Sequence, residues 1–313
     1  MNQRERFHGS LLGLAAGDAV GTTVEFRRRG SFEPVTGMTG GGTFGLAAGQ
    51  WTDDTSMALC VATSLLERNG FDPRDQMNRY CRWLESGYLS STGSCFDVGR
   101  TVALALDRFQ QTGEPFAGSD DPRSAGNGSI MRLAPIPLFF FPDLEAIDAY
   151  AAKSSRTTHA AEECVDACRL LGRIIGRAVL GRTKEEVAYG DGASFSGAES
   201  IVAIARGAYE AKSEAAVHGT GYVVESLEAA LWCFMKTDSF EAAILKASNL
   251  GDDADTTAAV CGQVAGAYYG VSQIPADWLQ TLALRSEITE LADQLWRRAF
   301  DSGATQGILP PQT

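Results

Sequence analysis

The sequence predicts an all-α fold. Apolar residues recur at helical spacing through most of the long segments, alternating β-branched runs are nearly absent, and Gly and Ala crowd two of the helical stretches. These two stretches are Leu11-Leu12-Gly13-Leu14-Ala15-Ala16-Gly17 and Ala258-Ala259-Val260-Cys261-Gly262-Gln263-Val264-Ala265-Gly266-Ala267. Small residues at that spacing cost helix propensity but let helix axes approach closely, which marks central helices of a compact bundle. A transmembrane hairpin is the other reading of such runs; they are too short for it and are flanked by acids.

Along the chain, the first small-residue helix gives way to a Gly- and Thr-rich loop over 37–49, and an apolar helical pattern follows over 57–66, closed by Gly70. Asp72-Pro73 opens the next helix with a capping carboxylate and a residue that lacks the N–H a first turn cannot use. Small polar residues over 90–95 lead to a helix over 98–109 that Gly113 closes. A loop of Ser, Asp and Gly covers 118–129, and the segment 125–132 leads from it into a helix. Further helical patterns cover 164–180, 201–209, 227–235 and 279–300, and Ser239 opens one more, with Ala242 in its first turn. The 313 residues contain no internal repeat and no compositional boundary, so the chain reads as one domain over 1–313 with a frayed tail over 303–313.

With 44% hydrophobic and 21% charged residues, the composition is that of a globular protein with a large core. The net charge of -12 disfavours nucleic-acid binding through bulk electrostatics, and Arg27-Arg28-Arg29 is too short a run to form a groove for a phosphate backbone. A small anionic ligand stays open, because backbone N–H groups, helix N-termini and bound cations hold phosphates without a basic surface. The start lacks the apolar core of a signal peptide, and the longest apolar stretch, 133–141, contains Pro135 and Pro137 and is too short for a bilayer span. A cytoplasmic protein without a membrane span is expected. The seven cysteines show no paired spacing; Cys164 and Cys168, one helical turn apart, suit packing on one helix face as reduced thiols.

Two acidic clusters stand out. Trp51-Thr52-Asp53-Asp54-Thr55 precedes an apolar helical pattern, where a capping residue and acids at the helix dipole are ordinary. Capping needs only one of them, however, and adjacent aspartates flanked by hydroxyls also present oxygens to a cation. The second cluster, Gly251-Asp252-Asp253-Ala254-Asp255-Thr256-Thr257, again precedes a small-residue helix. An extended chain there would turn Asp253 and Asp255 to one side, with the Thr256 hydroxyl at the helix start. A third segment, Gly17-Asp18-Ala19-Val20-Gly21-Thr22-Thr23-Val24-Glu25, ends on a further carboxylate. Gathered without a cation, each close pair of carboxylates would repel by about 4 kcal/mol at ~4 Å and an effective dielectric near ~20, more than a cap contributes, so convergence implies a cation. The donors are hard oxygens unaccompanied by His or Cys, and the chain has three histidines, which favours Mg²⁺ or Mn²⁺ over Zn²⁺.

Counting from Asp253 excludes a calcium EF-hand, since Ala258 stands where Gly is required and Val264 where Glu is. Asp253-Ala254-Asp255-Thr256-Thr257 has the D-x-D-x-T spacing of haloacid dehalogenase-type phosphatases, but Lys246-Ala247-Ser248-Asn249-Leu250-Gly251 is not the hydrophobic strand such a motif follows. Asp97, in Phe96-Asp97-Val98-Gly99, sits at the start of a helix, as a cap or as a functional carboxylate. Gly126-Asn127-Gly128-Ser129 frees backbone N–H groups of the kind that meet a diphosphate, and His159 lies near a helix start, where an ordinary hydrogen-bonded histidine is the commoner reading.

Taken in order, Gly17-Asp18-Ala19 with Glu25, Trp51-Thr52-Asp53-Asp54-Thr55, Phe96-Asp97-Val98-Gly99, Gly126-Asn127-Gly128-Ser129 with Met131-Arg132, Thr158-His159, and Gly251 to Thr257 resemble the ADP-ribosylglycohydrolase family, most closely its dinitrogenase reductase-activating branch. The resemblance spans about residues 11–269. It implies an all-α domain with a two-metal cleft for Mg²⁺ or Mn²⁺, with Thr52, Asp53, Asp54, Asp253, Asp255 and Thr256 as ligands and Glu25 beside or on the second metal. It further implies cleavage of the N-glycosidic bond between ADP-ribose and a protein arginine, with Asp97 engaging the ribose and Glu25 second in line for the proton. Gly126, Asn127, Gly128, Ser129 and His159 would line the diphosphate and adenosine part. Arg100 departs from the pattern, standing where the branch has a smaller polar residue. The alternatives are a non-catalytic ADP-ribose-binding or toxin-immunity protein of the same fold, and the phosphatase.

Overall fold

A computed structural model describes residues 1–300, so the tail expected over 303–313 lies outside the described residues. The described residues form helices and loops, with three isolated β-bridges and no strand. The helices are α1 (Gln3–Gly21), α2 (Asp53–Glu67), α3 (Pro73–Ser86), α4 (Arg100–Thr112), α5 (Pro135–Phe139), α6 (Leu144–Arg156) and α7 (Glu162–Val179). They continue with α8 (Lys184–Tyr189), α9 (Glu199–Ala205), α10 (Val223–Met235), α11 (Phe240–Ser248), α12 (Ala254–Tyr269), α13 (Ala276–Thr281) and α14 (Arg285–Phe300).

The two small-residue helices, α1 and α12, form the central pair. A Cβ added at Gly9, Gly13, Gly17 or Gly21 would overlap the backbone carbonyl of Gly266, Gly262, Ala258 or Ala254 respectively. Each step of four residues along α1 thus meets a step of four along α12, backbone against backbone. The pair is buried along nearly its whole length, and α2, α7, α10, α11 and α14 pack around it. One consequence reaches the functional end of the molecule: the C-terminus of α1 lies against the N-terminus of α12, where the acidic residues are.

Local chemistry explains several helix ends. Asn2 and Glu5 form a capping box on α1, the Asp72 carboxylate accepts from Asp75 N ahead of Pro73, and Ser239 Oγ accepts from Ala242 N. Gly113 ends α4 in the left-handed region at φ 75°. At the end of α2, Asn69 rather than Gly70 takes the positive φ, and Gly70 N–H donates back to Leu65 O; the helix closes one residue earlier than the glycine indicates. Residues 279–300 are two helices. Leu282, Ala283 and Leu284 (φ 49°) break the pattern because Ala283 hydrogen-bonds Gly49 and Trp51, tying this bend to the loop ahead of α2. Residues 125–132 form successive turns that lead into α5, and Asn127 N–H donates across to Gly221 O. All seven cysteines are free thiols and six are buried, as expected. No helix among the described residues is long and apolar enough to cross a membrane.

Candidate active site

The site forms where loops converge on the adjoining ends of α1, α2 and α12. Asp18, on the last turns of α1, is fully buried and accepts four hydrogen bonds: Thr52 N and Oγ1 on Oδ1 (both 2.9 Å), Thr55 N (3.0 Å) and Oγ1 (2.6 Å) on Oδ2. The cap of α2 is therefore supplied by α1. Thr52 occupies the N-cap position, but its hydroxyl does not cap; it lies among Asp18, Asp54 Oδ2 (3.3 Å) and Asp255 Oδ2 (3.1 Å). Capping thus accounts for none of the Asp53 or Asp54 side chains, and both are buried.

The second cluster reaches the site by a sharp turn, not by an extended segment. Gly251 (φ 72°) and Asp252 (φ 56°) both adopt left-handed backbone, and α12 starts directly afterwards with Asp253 as its N-cap residue. Phe26 N–H donates to Asp252 O (2.7 Å) and Asp252 N–H to Arg27 O (2.8 Å), which sets the Glu25 loop beside Asp253. Arg29 reinforces the junction through bonds to Leu250 O and Glu214 O and a third to Val217 O. Arg29 thus braces the loops beside the cleft.

Glu25, Asp97 and Asp255 each offer an oxygen, and these atoms all lie within 4.8 Å of one another. Asp53, Asp253 and Thr256 line the same cleft, while Thr256 Oγ1 reaches Asp54 Oδ2 at 3.4 Å from behind. Burial and mutual repulsion raise these carboxyls. Glu25 is pushed up to about 9 by burial and by Asp97; Asp97 is pushed up to about 6 by burial and by Asp253. Asp53, Asp54 and Asp255 rise well above the ordinary carboxylate range, burial again leading. Asp54 Oδ1 and Asp255 Oδ1 are buried without a hydrogen-bond partner. Orphaned acceptor oxygens within a cluster of mutually repelling carboxylates are the environment that a hard divalent cation relieves, so the donor set fits one.

Of the other residues singled out in the sequence, Gly126, Asn127, Gly128 and His159 line the cleft. Ser129 does not; it is buried and its Oγ accepts from Ser155 Oγ at 3.0 Å. Asn127 is less available than its loop suggested, because its amide donates to Asp253 Oδ2 (2.9 Å) and orients that carboxylate. Asp97 lies ahead of α4, whose N-cap residue is Gly99, so it caps nothing. His159 sits between α6 and α7. Arg100 and Phe26, the latter 63% exposed, stand at the cleft's mouth. Sequence reasoning passed over the segment Gly219-Thr220-Gly221, whose carbonyls accept from Asp253 N (2.9 Å) and Asn127 N (3.1 Å). Its turn-like Gly-Thr-Gly composition was the available signal, and composition alone does not say what a turn will brace.

A model of the ADP-ribosylglycohydrolase family matches residues 1–305. The chain belongs to that family. It is 45% identical over 295 residues to the ADP-ribosylarginine hydrolase Tri1 of Pseudomonas putida (strain GB-1), covering 94% of this chain and 79% of that protein. It is 33% identical over 294 residues to the ADP-ribosyl-(dinitrogen reductase) glycohydrolase of Rhodospirillum rubrum, covering 90% and 92%. A solved structure described as an ADP-ribosylglycohydrolase-related protein complex superposes with a TM-score of 0.85 at 41% identity, covering 96% of this chain and 99% of that one. As an ADP-ribosylglycohydrolase, the chain has the all-α architecture expected from its periodicity, and its acidic clusters converge as the order of its motifs implied.

Proposed function

We propose that this protein is a metal-dependent hydrolase that removes ADP-ribose from modified protein side chains, arginine foremost, by cleaving the N-glycosidic bond between ribose and guanidinium. One observation carries the reading: Glu25, Asp97 and Asp255, from three separate segments, bring oxygens within 4.8 Å of one another in the cleft of an ADP-ribosylglycohydrolase. The activity in the name of the 45%-identical relative supports arginine as the modified residue. One contiguous hydrophobic core running from Phe7 to Leu295 supports a single domain.

In this reading Thr52, Asp53, Asp54, Asp253, Asp255 and Thr256 hold two divalent cations, Mg²⁺ or Mn²⁺, with Glu25 beside the second. Such cations, when bound, supply positive charge against which ribose hydroxyls orient and water ionises more readily. Asp97 stabilises the positive charge that develops on the sugar as the guanidine departs. Glu25, in the cleft within reach of Asp97 and Asp255, holds and moves the proton at its carboxylate oxygens. Gly126, Asn127, Gly128 and His159 receive the diphosphate and adenosine part, with Ser129 supporting their loop from behind.

The test is release of free ADP-ribose from an arginine-ADP-ribosylated protein, with and without EDTA. Release that depends on a divalent cation and falls by about 10²-fold or more in Asp97→Asn and Asp255→Ala is expected. Wild-type rates in either variant, or activity indifferent to chelation, would sink the assignment. Tight binding of the modified protein without release would instead select the non-catalytic alternative.

A further inference from the structure

Arg132 is a large, fully buried cation with no carboxylate among its partners. Its guanidinium donates to Gly128 O (2.8 Å), Thr157 Oγ1 (3.3 Å) and Thr158 Oγ1 (2.6 Å), and lies 4.9 Å from the centre of the Tyr80 ring. Burying a guanidinium this way is costly, so its geometry invites a functional reading. Thr158 Oγ1 is also 2.8 Å from His159 Nδ1, and His159 is 2% exposed with its ring lining the cleft.

The proton inventory of this chain is restrictive. A guanidinium only donates, so Thr158 Oγ1 must accept from Arg132. Its single hydroxyl proton then has His159 Nδ1 as its one acceptor among the described residues. Were Nδ1 protonated instead, that hydroxyl proton would be buried without a partner, a loss of about 1–3 kcal/mol. The ring is neutral as well: burial, and then the charge on Arg132, push His159 down to about 3. A neutral ring whose Nδ1 accepts carries its proton on Nε2. That nitrogen has no hydrogen-bond partner among the described residues, and it faces Gly126 and Gly128, where added Cβ atoms would come within 3.4 Å and 3.2 Å of it.

We propose that Arg132 and Thr158 are positioning residues that lock His159 in the Nε2–H tautomer, so that the cleft presents a fixed, uncharged donor to an acceptor oxygen of its ligand. Under the function proposed above, on which this half of the inference rests, that acceptor is a phosphate oxygen of ADP-ribose. A neutral donor orients the phosphate without competing with the cation site for its charge. Arg132 also fixes Gly128 through its carbonyl, so one buried side chain holds both the ring and the turn beside it. The motif Met131-Arg132 and the pair Thr158-His159 are thereby parts of one device.

Long-range ¹H–¹⁵N spectra of the ligand-free protein test the lock directly, and three histidines make assignment tractable. The wild type is expected to show a protonated Nε2 and an unprotonated Nδ1 for His159, Thr158→Ser to keep that pattern, and Thr158→Val to lose it. ADP-ribose affinity, titrated in parallel, is expected to fall about tenfold in Thr158→Val and to recover in Thr158→Ser. A wild-type Nδ1–H tautomer, or an unchanged pattern in Thr158→Val, overturns the lock. A changed tautomer with unchanged ADP-ribose affinity overturns the ligand contact. Failure to hydrolyse arginine-linked ADP-ribose would count against the proposed function and leave the tautomer measurement standing.

Discussion

Asp18 shows how one side chain joins fold to site. Its two oxygens take four donors from the first turn of α2, and in doing so they aim the Thr52 hydroxyl at Asp54 and Asp255. Replacing it removes a buried cap and leaves the Thr52 and Thr55 N–H groups unpaired. Asp18→Ala is therefore expected to lose about 2–3 kcal/mol in chemical denaturation and to weaken divalent-cation binding by calorimetry. Unchanged denaturation would show that the cap is dispensable. The role was not legible in the sequence. Asp18 stands in an apolar helix 34 residues before Thr52, and only the folded chain brings one helix's end to cap another. Asp53 and Asp54, by contrast, were legible as more carboxylates than a cap requires.

At the scale of elements, the α1–α12 contact decides where the acids meet. Gly17 touches Ala258 backbone to backbone, one turn or less from Asp18 on one helix and Asp255 on the other. A methyl group there must push the axes apart. Gly17→Ala is expected to destabilise the protein by about 1–3 kcal/mol and to lower cation affinity, although alanine is the better helix former. A Gly17→Ala protein that melts at or above the wild-type temperature would contradict the close packing. The small-residue runs were legible as close-approach helices because spacing of four along one helix is a local pattern; which helix partners which is not.

A second element contact concerns pH. Asp293 on α14 is held down to about 2 by its hydrogen bond from Arg4 foremost, with His8 also on it and burial opposing. A depressed carboxyl stabilises the fold above its ordinary value of about 3.9, and that contribution disappears as pH falls through the folded value. Asp293→Asn is expected to be less stable than wild type in urea at pH ~6, with the gap narrowing as pH falls from about 4 toward 2. A gap that stays constant over that window would remove the ion pair from the account. The break between α13 and α14 belongs to this scale too: the apolar period runs through 282–284 unbroken, and only the bonds from Ala283 to the loop ahead of α2 explain why the helix stops.

For the whole molecule, the charge distribution sets the coupling between binding and stability. A chain of net charge -12 concentrates buried carboxyls at one end of its central helix pair, with two carboxylate oxygens unpartnered. A ligand that binds only the folded state stabilises it by mass action, by about 2.7 kcal/mol at a hundredfold excess over Kd. Added Mn²⁺ or Mg²⁺ is thus expected to raise the melting temperature in a concentration-dependent way, EDTA to reverse the gain, and Asp255→Ala to abolish it. A melting temperature indifferent to both cations would separate the acidic cluster from metal binding.

The sequence by itself determined the fold class, the two close-packed helices, several helix starts and the residue types of the site, because each of these is written in short-range spacing and in side-chain chemistry. It also contained the ordered motifs that mark the ADP-ribosylglycohydrolase family. The tertiary structure alone decided that Asp18 caps α2, that a left-handed turn rather than an extended segment delivers Asp253 and Asp255, that Ser129 faces inward, and that Arg132 reaches His159 through Thr158. Each of these is a contact between residues distant in sequence. Hydrogen bonds to a buried carboxylate or guanidinium are satisfied by whatever donor or acceptor the packing brings within about 3 Å, and no local pattern records which one that will be.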